Sequence, residues 1–459
     1  MGKKYGFKYI VIGSGPAGSA TALALAKAKK SVALVEGRFF GGANLNTRDI
    51  PYAVALNSAH NYYLARISPE FSSSDFSVNL PAIISRELKA SLSAGANDTK
   101  SFEDAGISCI KGYANFLDNH TIAVGKNKYT AERFILATGA KLDTKGIVGT
   151  DSVSFLTPET AIRLRKLPKV ALVVGGGSTG VEIAEYYAKL GVKVILMEAK
   201  SRILPREDEE VSLAISDHLT RLGVMILPDC QVVALEQGKS TKRVIFKQAS
   251  AEKMIKIDCV VLATGSKPAL DYGLENAGVK YKETGILTNS SFETSAKNIY
   301  AIGDCVNNSP ESSTDRANYE GLLLASNLTG KAKSPCNYSG IIRIIKTNPG
   351  VATIGRNEAD LIAKKIKSKK AFVPLSEITA SKTSLGVSGF VKLLADSDNK
   401  LLGATIVAPN AELIIEELAL AMRHHLSALE LAATPHSMNS YNYAVKLAAK
   451  KLISAKKTK

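Results

Sequence analysis

Lys8-Tyr9-Ile10-Val11-Ile12-Gly13-Ser14-Gly15-Pro16-Ala17-Gly18 is the stretch that decides the architecture. A short apolar run rich in β-branched residues leads into glycines spaced G-x-G-x-x-G, and a helical stretch over residues 19–30 follows. A second apolar run, 31–35, then stops at Glu36. Strand, glycine turn, helix and strand in that order make a βαβ unit. Gly13 permits the tight turn, Gly15 lets the backbone approach a pyrophosphate, and Gly18 lets helix pack on strand. The helix start adds free amides and the positive end of its dipole. Glu36 is placed to accept hydrogen bonds from a ribose diol.

The same order returns further along. Residues 170–174 form an apolar run, Gly175, Gly177 and Gly180 repeat the spacing, 181–190 read as helix, and 193–197 lead to Glu198. Each acid stands 23 residues after the first glycine of its loop. Two copies of one mononucleotide-binding fold are therefore expected. Residues 134–139 and 260–265 are also paired, since both are apolar strands ending in Ala-Thr-Gly. Residues 298–302 form a further strand, closed by Gly303-Asp304. Beyond it come alternating strands, 389–395 and 401–407, and a long amphipathic helix, 410–424. The expected fold is α/β, with two tandem Rossmann-like dinucleotide-binding domains and a C-terminal α+β domain.

Composition agrees with that reading. At 459 residues, with 45% hydrophobic and 22% charged, the chain is ordinary globular material too long for one core. The five cysteines show no C-x-x-C or Cys/His spacing, so neither a zinc site nor a disulfide framework is indicated and a reducing cytoplasm fits best. An uncharged run over 9–26 follows Lys3 and Lys4, but Gly13, Gly15, Pro16 and Gly18 interrupt it, so it reads as strand, turn and helix rather than signal peptide or membrane span. The net charge of +17 comes from lysines spread along the chain, with a modest cluster over 446–459. Without interleaved aromatics, that pattern is a solvated basic surface rather than a nucleic-acid site.

Taken together, the motifs resemble the pyridine nucleotide–disulfide oxidoreductase family, the group of dihydrolipoamide dehydrogenase, glutathione reductase and mercuric reductase. The resemblance includes Gly41-Gly42, Lys111-Gly112-Tyr113-Ala114-Asn115-Phe116, Tyr300-Ala301-Ile302-Gly303-Asp304, Asp315-Arg316-Ala317-Asn318-Tyr319-Glu320-Gly321 and Thr347-Asn348-Pro349-Gly350. It implies FAD held through Gly13, Gly15, Pro16, Ala17, Gly18, Glu36, Gly41, Gly42, Ala114, Thr138, Gly139, Gly303, Asp304 and Ala317. Gly175, Gly177, Gly180, Glu182, Glu198 and Gly265 would hold NADH in preference to NADPH, although Lys200 and Arg202 lie where either can reach a phosphate. The implied domains are 1–148 and 266–335 for FAD, 149–265 for the nicotinamide nucleotide, and 336–459 for the interface of a homodimer.

The resemblance breaks where its thiol chemistry would lie. Relatives follow Gly-Gly with Thr-Cys-Leu-Asn-Val-Gly-Cys-Ile-Pro-Ser-Lys, whereas here Asn44 and Asp49 stand at the two cysteine positions and Ala53 at the lysine that pairs with the position of Glu182. Ser178 replaces an aromatic that often covers the nicotinamide side of the flavin. Near the C-terminus, Met438 and Tyr443 fall at the positions of a catalytic His and Glu, and a two-residue slip brings His436 there without an acid partner. The function implied is an FAD-dependent oxidoreductase that passes electrons from NADH to a small-molecule acceptor, such as a quinone or dioxygen, without a protein disulfide. The alternatives are a dihydrolipoamide dehydrogenase-like or metal-reducing enzyme and a non-catalytic flavin-binding sensor. Asp49 is a candidate acid/base, or else a solvated carboxylate; His436 is a second candidate, or else structural. Cys305, directly after Asp304, reads as a small apolar residue at a strand end.

Overall fold

The computed structural model describes residues 5–70, 77–239, 241–249, 251–307, 313–330, 333–383 and 388–454. The chain divides into two compact units, each assembled from three segments. The first takes residues 1–54, 82–143 and 265–337, and the second takes 55–81, 144–264 and 338–459.

In the first unit, Phe7–Ile12 pairs in parallel with Val32–Glu36 on one side and with Asn127–Leu136 on the other. Val32–Glu36 extends the sheet to Ile107–Lys111, and Asn127–Leu136 takes Ile299–Ala301 as a further parallel neighbour. Strand order reverses at Phe7–Ile12, so the loop leaving that strand opens at a crevice of the kind that takes ligands. Alternate residues face two separate cores: Ile10, Ile12, Val35 and Phe134 enter one, and Tyr9, Val11, Leu34 and Ile135 the other. Burial on both faces is why the strands read as unbroken apolar runs.

The helix after the glycine loop spans Pro16–Lys27 rather than 19–30. It starts early because Pro16 has the fixed φ that suits a first helical position. It stops early because Lys29 turns left-handed, at φ 57°. Helix Thr314–Thr329 crosses it closely at Gly321, where a Cβ would stand 2.4 Å from the Ala17 carbonyl oxygen.

The second unit contains a parallel sheet ordered Met225–Leu227, Lys193–Met197, Val170–Val174, Cys259–Leu262, again with the reversal at the strand that precedes the glycine loop. An antiparallel meander, Cys230–Gln237, Lys242–Gln248 and Ala251–Ile257, was not anticipated. The C-terminal part is a five-stranded antiparallel sheet, which includes Phe390–Ala395 and Leu401–Ala408 and is backed by helices Ala411–Arg423 and Tyr443–Ser454. Lys392, on Phe390–Ala395, is fully buried. Its ammonium lies 2.7 Å from Asp208, 2.9 Å from Glu210 and 2.8 Å from Glu358, one carboxylate for each of its three donors. Asp208 and Glu210 begin helix Glu209–Arg221, so this cluster fastens the parallel-sheet part to the C-terminal sheet. Among the described residues, no helix is long and apolar enough to cross a membrane.

Candidate functional site: two glycine loops

The two loops share their backbone geometry at the three motif glycines. Gly13 has φ +102° and Gly175 φ +104°, and a Cβ at either would stand 2.2 or 2.3 Å from the carbonyl oxygen of Ala137 or Ala263. At Gly18 and Gly180 a Cβ would fall 1.9 and 1.8 Å from the oxygens of Gly13 and Gly175. These four positions admit no side chain. Gly15 and Gly177, the N-caps of helices Pro16–Lys27 and Ser178–Lys189, face open space within 4 Å. Gly139 and Gly265, both at positive φ, are open in the same way. Space above a helix N-terminus, with free amides around it, fits a pyrophosphate.

Each loop also ties its acid in place. Glu36 accepts from the Ser14 amide at 2.9 Å and the Arg38 amide at 2.7 Å. Glu198 accepts from the Gly176 amide at 2.7 Å and the Lys200 amide at 2.8 Å. Both carboxylates are thus oriented before any ribose arrives.

Around the first loop, Gly42 lies so close to Gly15 that a Cβ on it would stand 2.5 Å from the Gly15 Cα. The Gly112 amide donates to the Glu36 carbonyl oxygen at 2.9 Å, which holds Ala114, at the head of Ala114–Asp118, near the acid. Thr138 donates to the Ala269 carbonyl oxygen at 3.1 Å. The Gly303 amide donates to Glu320 at 2.6 Å, and Asp304 is paired with the buried Arg316, one residue before Ala317 on helix Thr314–Thr329. All of these residues lie in the first unit, and the open face of Gly15 with the oriented Glu36 carboxylate fits an adenine dinucleotide.

Around the second loop, the Arg202 guanidinium turns inward onto the carbonyl oxygens of Leu204, Pro205 and Glu207 and onto Ser212. Glu182, buried, accepts from the Lys346 amide at 2.7 Å. One turn on, the fully buried Glu185 gathers Lys189 at 2.9 Å, His218 at 2.7 Å and the Asn348 amide at 2.9 Å. Lys189 also donates to Nδ1 of His60 at 3.3 Å. Burial, and then the Lys189 charge, push the His60 pKa down to about 4. Nothing in the sequence marked this network, because its members come from four separate segments.

Asn44 falls in the short helix Gly42–Asn46, and Asp49 opens helix Asp49–Ile67. The Thr314 hydroxyl donates to the Asp49 carboxylate, which brings Asp49 to the start of helix Thr314–Thr329. All five cysteines are free thiols. His436 does have an acid partner, contrary to the sequence reading: Nε2 lies 3.0 Å from Glu417, and Nδ1 lies 2.9 Å from the Thr434 carbonyl oxygen. Both ring nitrogens are engaged inside the unit, an arrangement that favours the structural role. Glu417 lies on helix Ala411–Arg423, upstream of His436, where the family's motif does not look for it.

Residues 7–321 match the family model described as pyridine nucleotide-disulphide oxidoreductase, and residues 341–449 match its dimerisation domain. The chain is 30% identical over 438 residues to a mercuric reductase of Bacillus cereus, covering 94% of this chain and 69% of the relative. It is 28% identical over 441 residues to a dihydrolipoyl dehydrogenase of Bacillus subtilis (strain 168), covering 93% and 92%. Among solved structures, it resembles LpdA from Mycobacterium tuberculosis with a TM-score of 0.87 at 24% identity, over 97% of this chain and 99% of that one. The HOCl-induced flavoprotein disulfide reductase RclA from Escherichia coli gives 0.85 at 23% identity, with the same coverage. At that identity the two structures speak for the fold alone.

Proposed function

The chain belongs to the pyridine nucleotide-disulphide oxidoreductase family, whose members bind FAD and a nicotinamide nucleotide, and from that premise we propose an FAD-dependent NADH oxidoreductase that serves a small-molecule acceptor without a protein disulfide. The observation that carries the proposal is the in-register replacement of the two cysteines by Asn44 and Asp49. Neither side chain can form a disulfide or a thiolate. The five cysteines are free thiols, and burial foremost pushes those of Cys109, Cys259 and Cys305 up to about 11. Only the thiolate is an effective nucleophile.

Held by the first glycine loop, FAD would supply the chemistry of hydride acceptance and electron release to a quinone, dioxygen or similar oxidant. The chain's own residues bind and orient. Glu36 and Glu198 offer prearranged carboxylates to two ribose diols, and the open faces of Gly15 and Gly177 accept the pyrophosphates. Asp49, held by the Thr314 hydroxyl, is assigned to hold or release a proton for the acceptor. The 341–449 segment is assigned to a homodimer, with exposed Leu413 and Leu420 on one face of helix Ala411–Arg423.

Steady NADH consumption with a quinone or dye acceptor is the test. Turnover should persist after complete thiol alkylation; its loss, with FAD still bound, refutes a disulfide-free route. Asp49→Asn should lower turnover with the same acceptor by about 100-fold, the lower end of a general acid/base contribution. Unchanged turnover across every working acceptor removes Asp49 from proton handling.

A further inference from the structure

The two glycine loops differ at one buried position that touches the ribose acid, namely Ser14 in the first and Gly176 in the second. Ser14 is fully buried. Its hydroxyl donates to Glu36 Oε2 at 2.7 Å and accepts from the Gly41 amide at 3.1 Å. One hydroxyl thus joins the phosphate loop, the ribose acid and the Gly41-Gly42 turn, and Gly42 itself packs on Gly15. The second loop has no counterpart and no room for one. A Cβ on Gly176 would stand 2.8 Å from Ile203 Cγ2 and 3.0 Å from Glu198 Cβ, and Glu198 keeps only its backbone donors there.

We propose that Ser14 is the positioning residue that makes the first site a retaining site, while Gly176 leaves the second an exchanging one. Retention follows from rigidity. Glu36 cannot rotate away from a bound diol without breaking a charge-assisted hydrogen bond from the buried Ser14 hydroxyl, and the turn packed beside Gly15 cannot shift without freeing the Gly41 amide. A nucleotide leaving the first site has to disrupt both. Glu198, held by two backbone amides alone, presents no such tie. The division matches the chemistry of a flavoprotein, which keeps one dinucleotide through many turnovers and must release the other in each. The inference rests on the proposed assignment of FAD to the first loop and the nicotinamide nucleotide to the second.

Three variants of the holoprotein test it: Ser14→Ala, Ser14→Gly, which copies the second loop, and Ser14→Thr, which restores a hydroxyl. FAD affinity is read by the fluorescence of released flavin. The second site is read calorimetrically with ADP-ribose, a non-reducing probe, in FAD-saturated protein. Ser14→Ala and Ser14→Gly should weaken FAD by about 10- to 100-fold, the range for a lost hydrogen bond to a charged group. ADP-ribose affinity should stay unchanged, and Ser14→Thr should retain FAD as the parent does. Parent-like FAD affinity in Ser14→Ala overturns the proposal, and so does an equal loss of FAD and ADP-ribose, or a failure of Ser14→Thr to retain FAD. A parent protein that takes up no FAD would instead sink the site assignment beneath it.

Discussion

Glu198 carries the choice between the two nicotinamide nucleotides in the proposed assignment. Its distance from Gly175 is that of a ribose acid, because a βαβ unit fixes how far the second strand end lies from the first glycine. Whether Lys200 or Arg202 would also welcome a 2′-phosphate depended on side-chain direction, which no spacing reveals. The Arg202 guanidinium is spent on the turn over residues 204–212, and under the proposed assignment a 2′-phosphate would meet the Glu198 carboxylate. We therefore expect kcat/KM for NADH to exceed that for NADPH by about tenfold or more, the scale of one unfavourable charge contact. Glu198→Ala should lose about tenfold with NADH and narrow the preference. Comparable kcat/KM values for the two nucleotides in the parent would contradict this. His436 carries the opposite lesson: its partner Glu417 is on another helix, so a motif counted along the chain could not supply it.

At the scale of elements, the strands and helices flanking each glycine loop were legible because periodicity and glycine spacing agreed. The meander over 230–257 was missed although Gly238 marks its first turn and Val244 and Phe246 alternate into the core, because lysines and glutamates interrupt the apolar pattern in all three strands. Helix Asp49–Ile67 was hidden by its position, directly after a stretch read for its missing cysteines. The contact between helices Pro16–Lys27 and Thr314–Thr329 depends on Gly321, which sequence marks only as part of a motif. An added methyl there meets the Ala17 carbonyl oxygen at 2.4 Å and the Thr21 hydroxyl at 3.0 Å. Gly321→Ala should force the helices apart and destabilise the first unit by about 1–3 kcal/mol, an overpacking cost readable as a lower melting temperature. A melting temperature equal to the parent's would show that the helices separate freely.

For the molecule as a whole, pH is the sharper probe, because the second unit holds two ionisable clusters, one around Glu185 and one around Lys392. His60 has its pKa lowered to about 4, so its contribution is present above the ordinary 6.5 and is lost as pH falls from there toward 4. Glu185 is lowered despite burial, because Lys189 and His218 outweigh it, and Glu210 is lowered despite burial by Lys392. Their contributions hold above the ordinary glutamate range and vanish as pH drops through the depressed values. Lys392, raised by Asp208, Glu358 and Glu210 against the cost of burial, is lost only as pH climbs past 10.5. Calorimetry should show the melting temperature falling from pH 6.5 downward, and His60→Gln should remove the part of that slope lying between 6.5 and 4. A flat profile over that interval in the parent would contradict the His60 assignment.

The first unit is interrupted twice by the second, and that has a consequence for how the protein is made. Its sheet needs Ile299–Ala301 beside Asn127–Leu136, whereas every strand of the parallel sheet in the second unit has been synthesised by Leu262. A ribosome therefore delivers the parallel sheet of the second unit complete while the sheet of the first still lacks an edge, so the guest matures before its host. Until the segment over 265–337 emerges, the nascent chain presents an unpaired strand end and has neither Asp304 nor Arg316. The residues assigned to FAD are thus completed after those assigned to the nicotinamide nucleotide, and flavin capture is expected to be the late event in the birth of this protein.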